Sequence, residues 1–89
     1  RRQRQMGIRD SSREALKTLR RMPANEAKRV RKKIEAYARD PDSQANNVVR
    51  LKGRDGYRLR VGDWRVIFDK QGNVMAILAV GPRGSVYED

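Results

Sequence analysis

Tyr57-Arg58-Leu59-Arg60-Val61-Gly62-Asp63-Trp64-Arg65-Val66-Ile67-Phe68 is the stretch on which the fold turns. Apolar and charged residues alternate on both sides of a Gly-Asp pair. A period of two is the period of a strand, in which successive side chains point to opposite faces. Glycine at the first central position of a two-residue loop suits a type II′ turn, whose twist matches that of the flanking strands. The segment therefore predicts a β-hairpin with Val61 opposite Trp64, Arg60 opposite Arg65, Leu59 opposite Val66 and Arg58 opposite Ile67. One face carries Tyr57, Leu59, Val61, Trp64, Val66 and Phe68; the other carries Arg58, Arg60 and Arg65.

Working outward, Gln71-Gly72 marks the next turn and residues 73–80 the next strand. Upstream, Val48 to Lys52 predicts a strand after a polar loop. No connection in this half is long enough for a crossover helix, so the sheet is expected to be mainly antiparallel. Gly53 and Gly56 sit in a loop that leads into no helix, which excludes a phosphate-cradling nucleotide loop.

The first half has helical spacing. Ser11-Ser12-Arg13-Glu14 fits a capping box with Ser11 as N-cap, and Ala15, Leu16, Leu19 and Met22 follow at helical intervals. Pro23 ends that helix. A second helix is predicted from Ala24 to Arg39, with Ala27, Val30, Ile34, Tyr37 and Ala38 forming one apolar stripe. Asp40-Pro41-Asp42-Ser43 breaks it. Met6 and Ile8 alternate with polar residues as a short first strand would. The expectation is one α+β domain over residues 1–89: a short N-terminal strand, a helical hairpin, then a mainly antiparallel twisted sheet.

Composition narrows the function. The chain has 89 residues, Lys+Arg 22 against Asp+Glu 11, and a formal net charge of +11. With Cys 0 and His 0 there is no disulfide, no thiolate or imidazole metal ligand, and no Ser/His or Cys/His catalytic pair. Leu, Ile, Val and Phe make up about a fifth of the chain, a thin core for so charged a domain. An acidic partner would relieve the self-repulsion. No apolar run approaches the roughly 20 residues that span a bilayer, and no signal-peptide pattern opens the chain. The expected location is the cytoplasm, with no membrane partner.

Within this frame the arginine face is the candidate site. Like charges directly opposite one another destabilise a strand pair. A solvated face is the ordinary reading of one such pair. Here the cost recurs at Arg58, Arg60 and Arg65, with no carboxylate alternating among them. The alternative is a polyanion site, because planar guanidinium forks take phosphate oxygens two at a time. Arg83, in the turn Gly81-Pro82-Arg83-Gly84, is placed to reach back across the sheet. Tyr87, a late aromatic beyond the core pattern, could stack on an unpaired base or act as a phenol whose titration is lowered by nearby positive charge. Arg20-Arg21 and Lys32-Lys33 read as solvated helix faces, Asp40 and Asp42 as turn residues, and Trp64 as a core anchor.

The run from Val49 to Phe68, with its "L-K-G … Y-R-L-R-V-G-D-W-R-V-I-F" pattern, and the closing Val80-Gly81-Pro82-Arg83 with Val86-Tyr87 resemble the RelE/ParE superfamily of toxin–antitoxin toxins. The resemblance extends over nearly the whole chain. It implies the RelE-like fold and a toxin that inhibits translation as a ribosome-dependent endoribonuclease of mRNA. In that chemistry the mRNA 2′-OH attacks its own adjacent phosphate, leaving a 2′,3′-cyclic phosphate and a 5′-OH, without metal or other cofactor. The implied catalytic residues are Arg65, Arg83, Tyr87, Arg60 and Arg58, and the implied RNA-binding residues Lys52, Arg54, Arg58 and Arg60. The implied partners are a cognate antitoxin, RelB-like or other, and the ribosome with mRNA in its A site. Some RelE members carry lysines where this chain has Arg58 and Arg60, and others a His or Glu in the site. Arginine keeps its proton, so catalysis here would rest on positioning and electrostatic stabilisation of the reacting phosphate. Two other functions fit the same residues: a ParE-like inhibitor of DNA gyrase, and a catalytically inactive binding module on the same fold.

Overall fold

The computed structural model describes residues 7–71 and 74–84. In chain order the elements are β1 (Gly7–Ser11), α1 (Arg13–Arg21), α2 (Ala24–Arg39), a 3₁₀ segment (Pro41–Asn47), β2 (Val48–Arg50), β3 (Tyr57–Val61), β4 (Trp64–Gln71) and β5 (Val74–Pro82). The fold is α+β: a first strand, two helices, then a meander. The five strands lie in the order β1-β5-β4-β3-β2. All neighbours are antiparallel except β1, which joins the edge of β5 in parallel. That parallel pair is possible because the two helices intervene between its strands and supply the crossover a parallel connection needs.

The hairpin register is the one its alternation dictates, with Arg60 paired to Arg65 and Val61 to Trp64. Gly62 takes φ +60 at the turn, a left-handed value that favours glycine. The helices cover the apolar face. Leu59, Val61, Val66 and Phe68 from the hairpin are buried against Val30, Ile34 and Tyr37 of α2 and Ala15 and Leu19 of α1. Every residue of the stripe predicted for α2 is buried. Phe68 is the keystone: it is fully buried and packs on the rings of Tyr37 and Tyr57 at centroid distances of 5.0 and 5.5 Å. Truncating it to alanine would cost ~3–5 kcal/mol in lost contacts and cavity. Lys70 shares this face. Its Nζ donates to Tyr37 Oη at 2.9 Å and lies 4.7 Å from the Tyr57 ring centroid, which lets a cation sit half-buried beside the core.

Several boundaries differ from the sequence reading. The N-cap of α1 is Ser12, not Ser11: Ser12 Oγ accepts from the Ala15 N–H at 3.0 Å. Ser11 is still paired with Ile77 in the sheet, so the chain needs one more residue before it can turn. Ser12 also donates its Oγ–H to the Leu78 carbonyl at 2.6 Å and its N–H to that of Ile77 at 2.8 Å. These bonds stitch the start of α1 to a bulge in β5, where the ladder shifts register opposite the Ile67–Phe68 step. The expected polar loop after Asp40 is a 3₁₀ segment kinked at Gln44, whose φ and ψ of -113° and 15° are non-helical. β2 ends at Arg50 rather than Lys52, because the Leu51 N–H turns to the Gly56 carbonyl and closes the loop between β2 and β3. β4 runs past the hairpin stretch that ends at Phe68, to Gln71. Met6, Gly72 and Asn73 lie outside the described residues.

Candidate nucleic-acid interface

The sheet face turned away from the helices carries the arginines, as the alternation requires. It is not wholly open. Ile67 and Ala79 point to this side and are buried beneath Leu51, which the loop after β2 folds down on them. Arg58, opposite Ile67 on one side and Val49 on the other, is half-buried beside this small cluster. Asp69 falls on the same face by alternation, so one carboxylate does stand there. It sits two positions beyond Ile67, and its Oδ1 accepts the Lys70 N–H.

Nearer the hairpin turn the face becomes polar. Arg60 and Arg65 are direct cross-strand partners, and Arg65 is paired on its other side with Gly81. Gly81 has no side chain, so the floor beside Arg65 is low. The ladder continues one step past Pro82: the Arg83 N–H donates to the Asp63 carbonyl at 2.7 Å. This bond delivers Arg83, exposed, to the turn beside the Arg60–Arg65 pair.

Repulsion between the paired guanidinium groups is met by giving each a separate neutral acceptor. Arg65 folds back on the turn, and its Nη1 donates to the carbonyls of Gly62 at 3.0 Å and Trp64 at 2.9 Å. Arg60 reaches the other way, and its Nη2 donates to Asn47 Oδ1 at 3.3 Å. A third arginine approaches from behind. The Arg29 guanidinium lies so close to the turn that a methyl group on Gly62 would stand 2.5 Å from its Nη2. The turn end of the hairpin thus gathers Arg29, Arg60, Arg65 and Arg83. From Arg29 the basic surface runs along α2, where Lys32, Lys33 and Arg39 line a groove of about 470 Å³ with Glu35 and Ala36.

The structure divides the residues expected from sequence. Arg58, Arg60 and Arg65 share one sheet face, and Arg83 joins them at the turn. Lys52 and Arg54 are exposed in the loop at the opposite end of β3, about 13 Å from the turn by strand rise. Tyr87 lies outside the described residues. Trp64 is half-buried and packs against the core, in keeping with an anchoring role. Lys33 is not simply a solvated residue: its Nζ donates to Gln44 Oε1 at 3.2 Å. Arg29, Gln44 and Asn47 were not legible as neighbours of the arginines. Arg29 sits among several basic residues of α2 with nothing local to single it out, and Asn47 reads as one more polar residue in a loop.

Such an arrangement can hold a phosphate chain. Guanidinium groups on a low, small-residue floor offer forked donors to phosphate oxygens. Where a phosphate gathers negative charge during reaction, the same donors stabilise it. Among the described residues no cluster of three or more carboxylates is assembled to hold a metal ion, and no helix is long and apolar enough to cross a membrane.

Comparison with known proteins bears on these features. The family model of the ParE toxin of the type II toxin–antitoxin system, parDE, matches residues 10–87. Among solved structures, the archaeal RelE–RelB complex from Pyrococcus horikoshii is 28% identical over 91% of this chain and 100% of that chain, with a TM-score of 0.70. The RelB–RelE antitoxin–toxin complex from Methanococcus jannaschii is 26% identical over 86% of this chain and 93% of that one, with a TM-score of 0.64. The toxin–antitoxin complex RelBE2 from Mycobacterium tuberculosis is 17% identical over 91% of this chain and 95% of that one, with a TM-score of 0.72, and shares the fold. No curated protein matches the chain in sequence.

Proposed function

The chain belongs to the ParE toxin family of type II toxin–antitoxin systems, and from that premise we propose that it is an endoribonuclease toxin that cuts mRNA on the ribosome. The observation that carries this reading is the convergence of Arg60, Arg65 and Arg83 at one end of a β-hairpin. In the proposed reaction the ribose 2′-OH attacks the adjacent phosphorus. The bond to the 5′-oxygen breaks, and a 2′,3′-cyclic phosphate and a 5′-OH result. The proton of the 2′-OH passes to solvent or a nearby base, and the leaving oxygen takes one up. Arg65 and Arg83 hold the non-bridging oxygens as charge accumulates on them, Arg60 and Arg58 align the chain, and Lys52 and Arg54 hold phosphates further along. Tyr87 stacks on a base or serves in proton transfer. The likeness to RelE chains solved with RelB antitoxins supports a RelB-type antitoxin as partner.

A second reading is inhibition of DNA gyrase, favoured by the match to the ParE family. One experiment separates the two. The protein is added to an in vitro translation reaction with primer extension on the mRNA, beside a gyrase supercoiling assay. Cleavage of translated mRNA, abolished in Arg65→Ala, is the expected result. Intact mRNA with supercoiling inhibited would replace it with the gyrase reading.

A further inference from the structure

Arg60 is the terminus of a hydrogen-bond chain that begins on α2. Lys33 Nζ donates to Gln44 Oε1 at 3.2 Å. Asn47 Nδ2 donates to the same oxygen at 3.2 Å. Asn47 Oδ1 then accepts from Arg60 Nη2 at 3.3 Å. The chain has only one possible polarity. An ammonium group has donors and no acceptor, so Gln44 must turn its oxygen, not its NH₂, toward Lys33. That oxygen also faces Asn47, so Asn47 must present its NH₂ there. Its oxygen is left for Arg60, a guanidinium that is itself only a donor. Two amides whose O and N ends could otherwise exchange are fixed by a cation at each end.

The backbone supports this chain. Gln44 is the kink of the 3₁₀ segment, and Asn47 is the last residue of that segment before β2. Lys33, Gln44 and Asn47 are all half-buried between α2 and the edge of the sheet, whereas Arg60 is exposed. An exposed arginine facing a like charge across a hairpin would otherwise explore many rotamers, each lost on binding.

We propose that Asn47 is a positioning residue, whose side-chain oxygen holds the Arg60 guanidinium apart from Arg65 in the orientation that receives a phosphate of single-stranded RNA. The proposal rests on the reading of the arginine face as an RNA site. It makes the kinked 3₁₀ segment a determinant of how the sheet binds its ligand. Asn47 touches Arg60, not the substrate.

The test uses the full chain and two variants that act in opposite directions. Asn47→Ala removes the acceptor, and Asn47→Asp replaces it with a carboxylate that grips Arg60 harder. Side-chain ¹⁵N NMR of the Arg60 guanidinium reads the tether without any assay of activity. Rotation about its Nε–Cζ bond is expected to speed up in Asn47→Ala and slow down in Asn47→Asp. Affinity for a short single-stranded RNA oligonucleotide is expected to fall in both, by about five- to tenfold in Asn47→Ala, the upper end of the net worth of an ordinary hydrogen bond. In an Arg60→Ala background the charge-neutral Asn47→Ala should not alter affinity further. Unchanged Arg60 rotation in both variants overturns the tether. So does an equal loss of affinity in Asn47→Ala with and without Arg60, which would mean that Asn47 acts elsewhere. A wild-type chain that binds no RNA, with the NMR effects intact, would instead remove the RNA-site reading and leave the tether standing as a structural contact.

Discussion

The indole N–H of Trp64 donates to Glu26 Oε1 at 2.6 Å, tying the first residue of β4 to the first turn of α2. The bond sits beside the hairpin turn, where Arg29, one helical turn further along α2, also meets Gly62. α2 therefore clamps the end of the hairpin at which Arg60, Arg65 and Arg83 gather. A carboxylate in the first turn of a helix also complements the positive end of its dipole.

Glu26→Ala is expected to lower stability by ~1.5–3 kcal/mol, the scale for a hydrogen bond to a charged group, and Glu26→Gln by less, since its amide oxygen still accepts from the indole. Urea unfolding followed by Trp64 fluorescence measures both. Equal stability in Glu26→Ala and wild type would show that the clamp contributes nothing.

Arg65→Ala is expected to reduce cleavage of ribosome-bound mRNA by at least ~10²-fold, as for loss of one preorganised donor to transition-state charge. Arg65→Lys should recover little, because an ammonium group cannot span the carbonyls of Gly62 and Trp64 while presenting a planar fork to phosphate. Single-turnover cleavage with folding checked by circular dichroism decides this. Full activity in Arg65→Ala would remove the residue from the mechanism.

With a formal net charge of +11, binding to RNA or ribosomes should weaken steeply as salt rises. Each neutralised phosphate releases a counterion, so the slope of log K against log[salt] is expected to be on the order of several units. Binding isotherms at four or five salt concentrations give that slope. A flat dependence points to a protein target.

Gly62→Ala is expected to destabilise the fold by ~1–2 kcal/mol, because φ +60 forces a Cβ against the following carbonyl. The Arg29 guanidinium must also move, though as the far end of a flexible side chain it can do so. Gly62→Asn should cost less, since asparagine tolerates left-handed backbone. Denaturant midpoints for the two variants supply the comparison, and an alanine variant as stable as the asparagine one would contradict the argument.

How much of this was readable beforehand follows from the range of each interaction. The hairpin register and the stripe on α2 are written in local periodicity, two and 3.6 residues, so Arg60 opposite Arg65 and the burial of Val30, Ile34 and Tyr37 could be stated from sequence. The parallel pairing of β1 with β5 could not, because it joins segments more than sixty residues apart with no shared local pattern. The bulge near Leu78 inserts one residue into an otherwise regular apolar run, and an apolar run has no period to betray it. At the site, backbone alternation chose the face for each arginine, but side-chain acceptors chose where the guanidinium groups went. Of those acceptors, Asn47 lies outside any motif, and the carbonyls of Gly62 and Trp64 are backbone groups that a side-chain pattern does not register.

The last expectation concerns the partner. The thin core and the charge of +11 leave the isolated chain with little margin, and an acidic antitoxin would relieve both. A segment that is disordered alone and folds on the toxin would cover much surface for its length. If it binds the folded toxin and not the unfolded chain, it raises apparent stability by RT ln(1 + [L]/Kd), roughly 4 kcal/mol at a thousandfold excess over Kd. Thermal unfolding of the toxin alone and with the antitoxin encoded beside it measures this. The melting temperature is expected to rise with antitoxin concentration, and mRNA cleavage to fall in parallel. Raising salt should weaken both effects if charge attraction dominates, because exposed charges are screened beyond ~8–10 Å at physiological ionic strength. A neighbour that binds but neither raises the melting temperature nor suppresses cleavage is not the antitoxin of this chain.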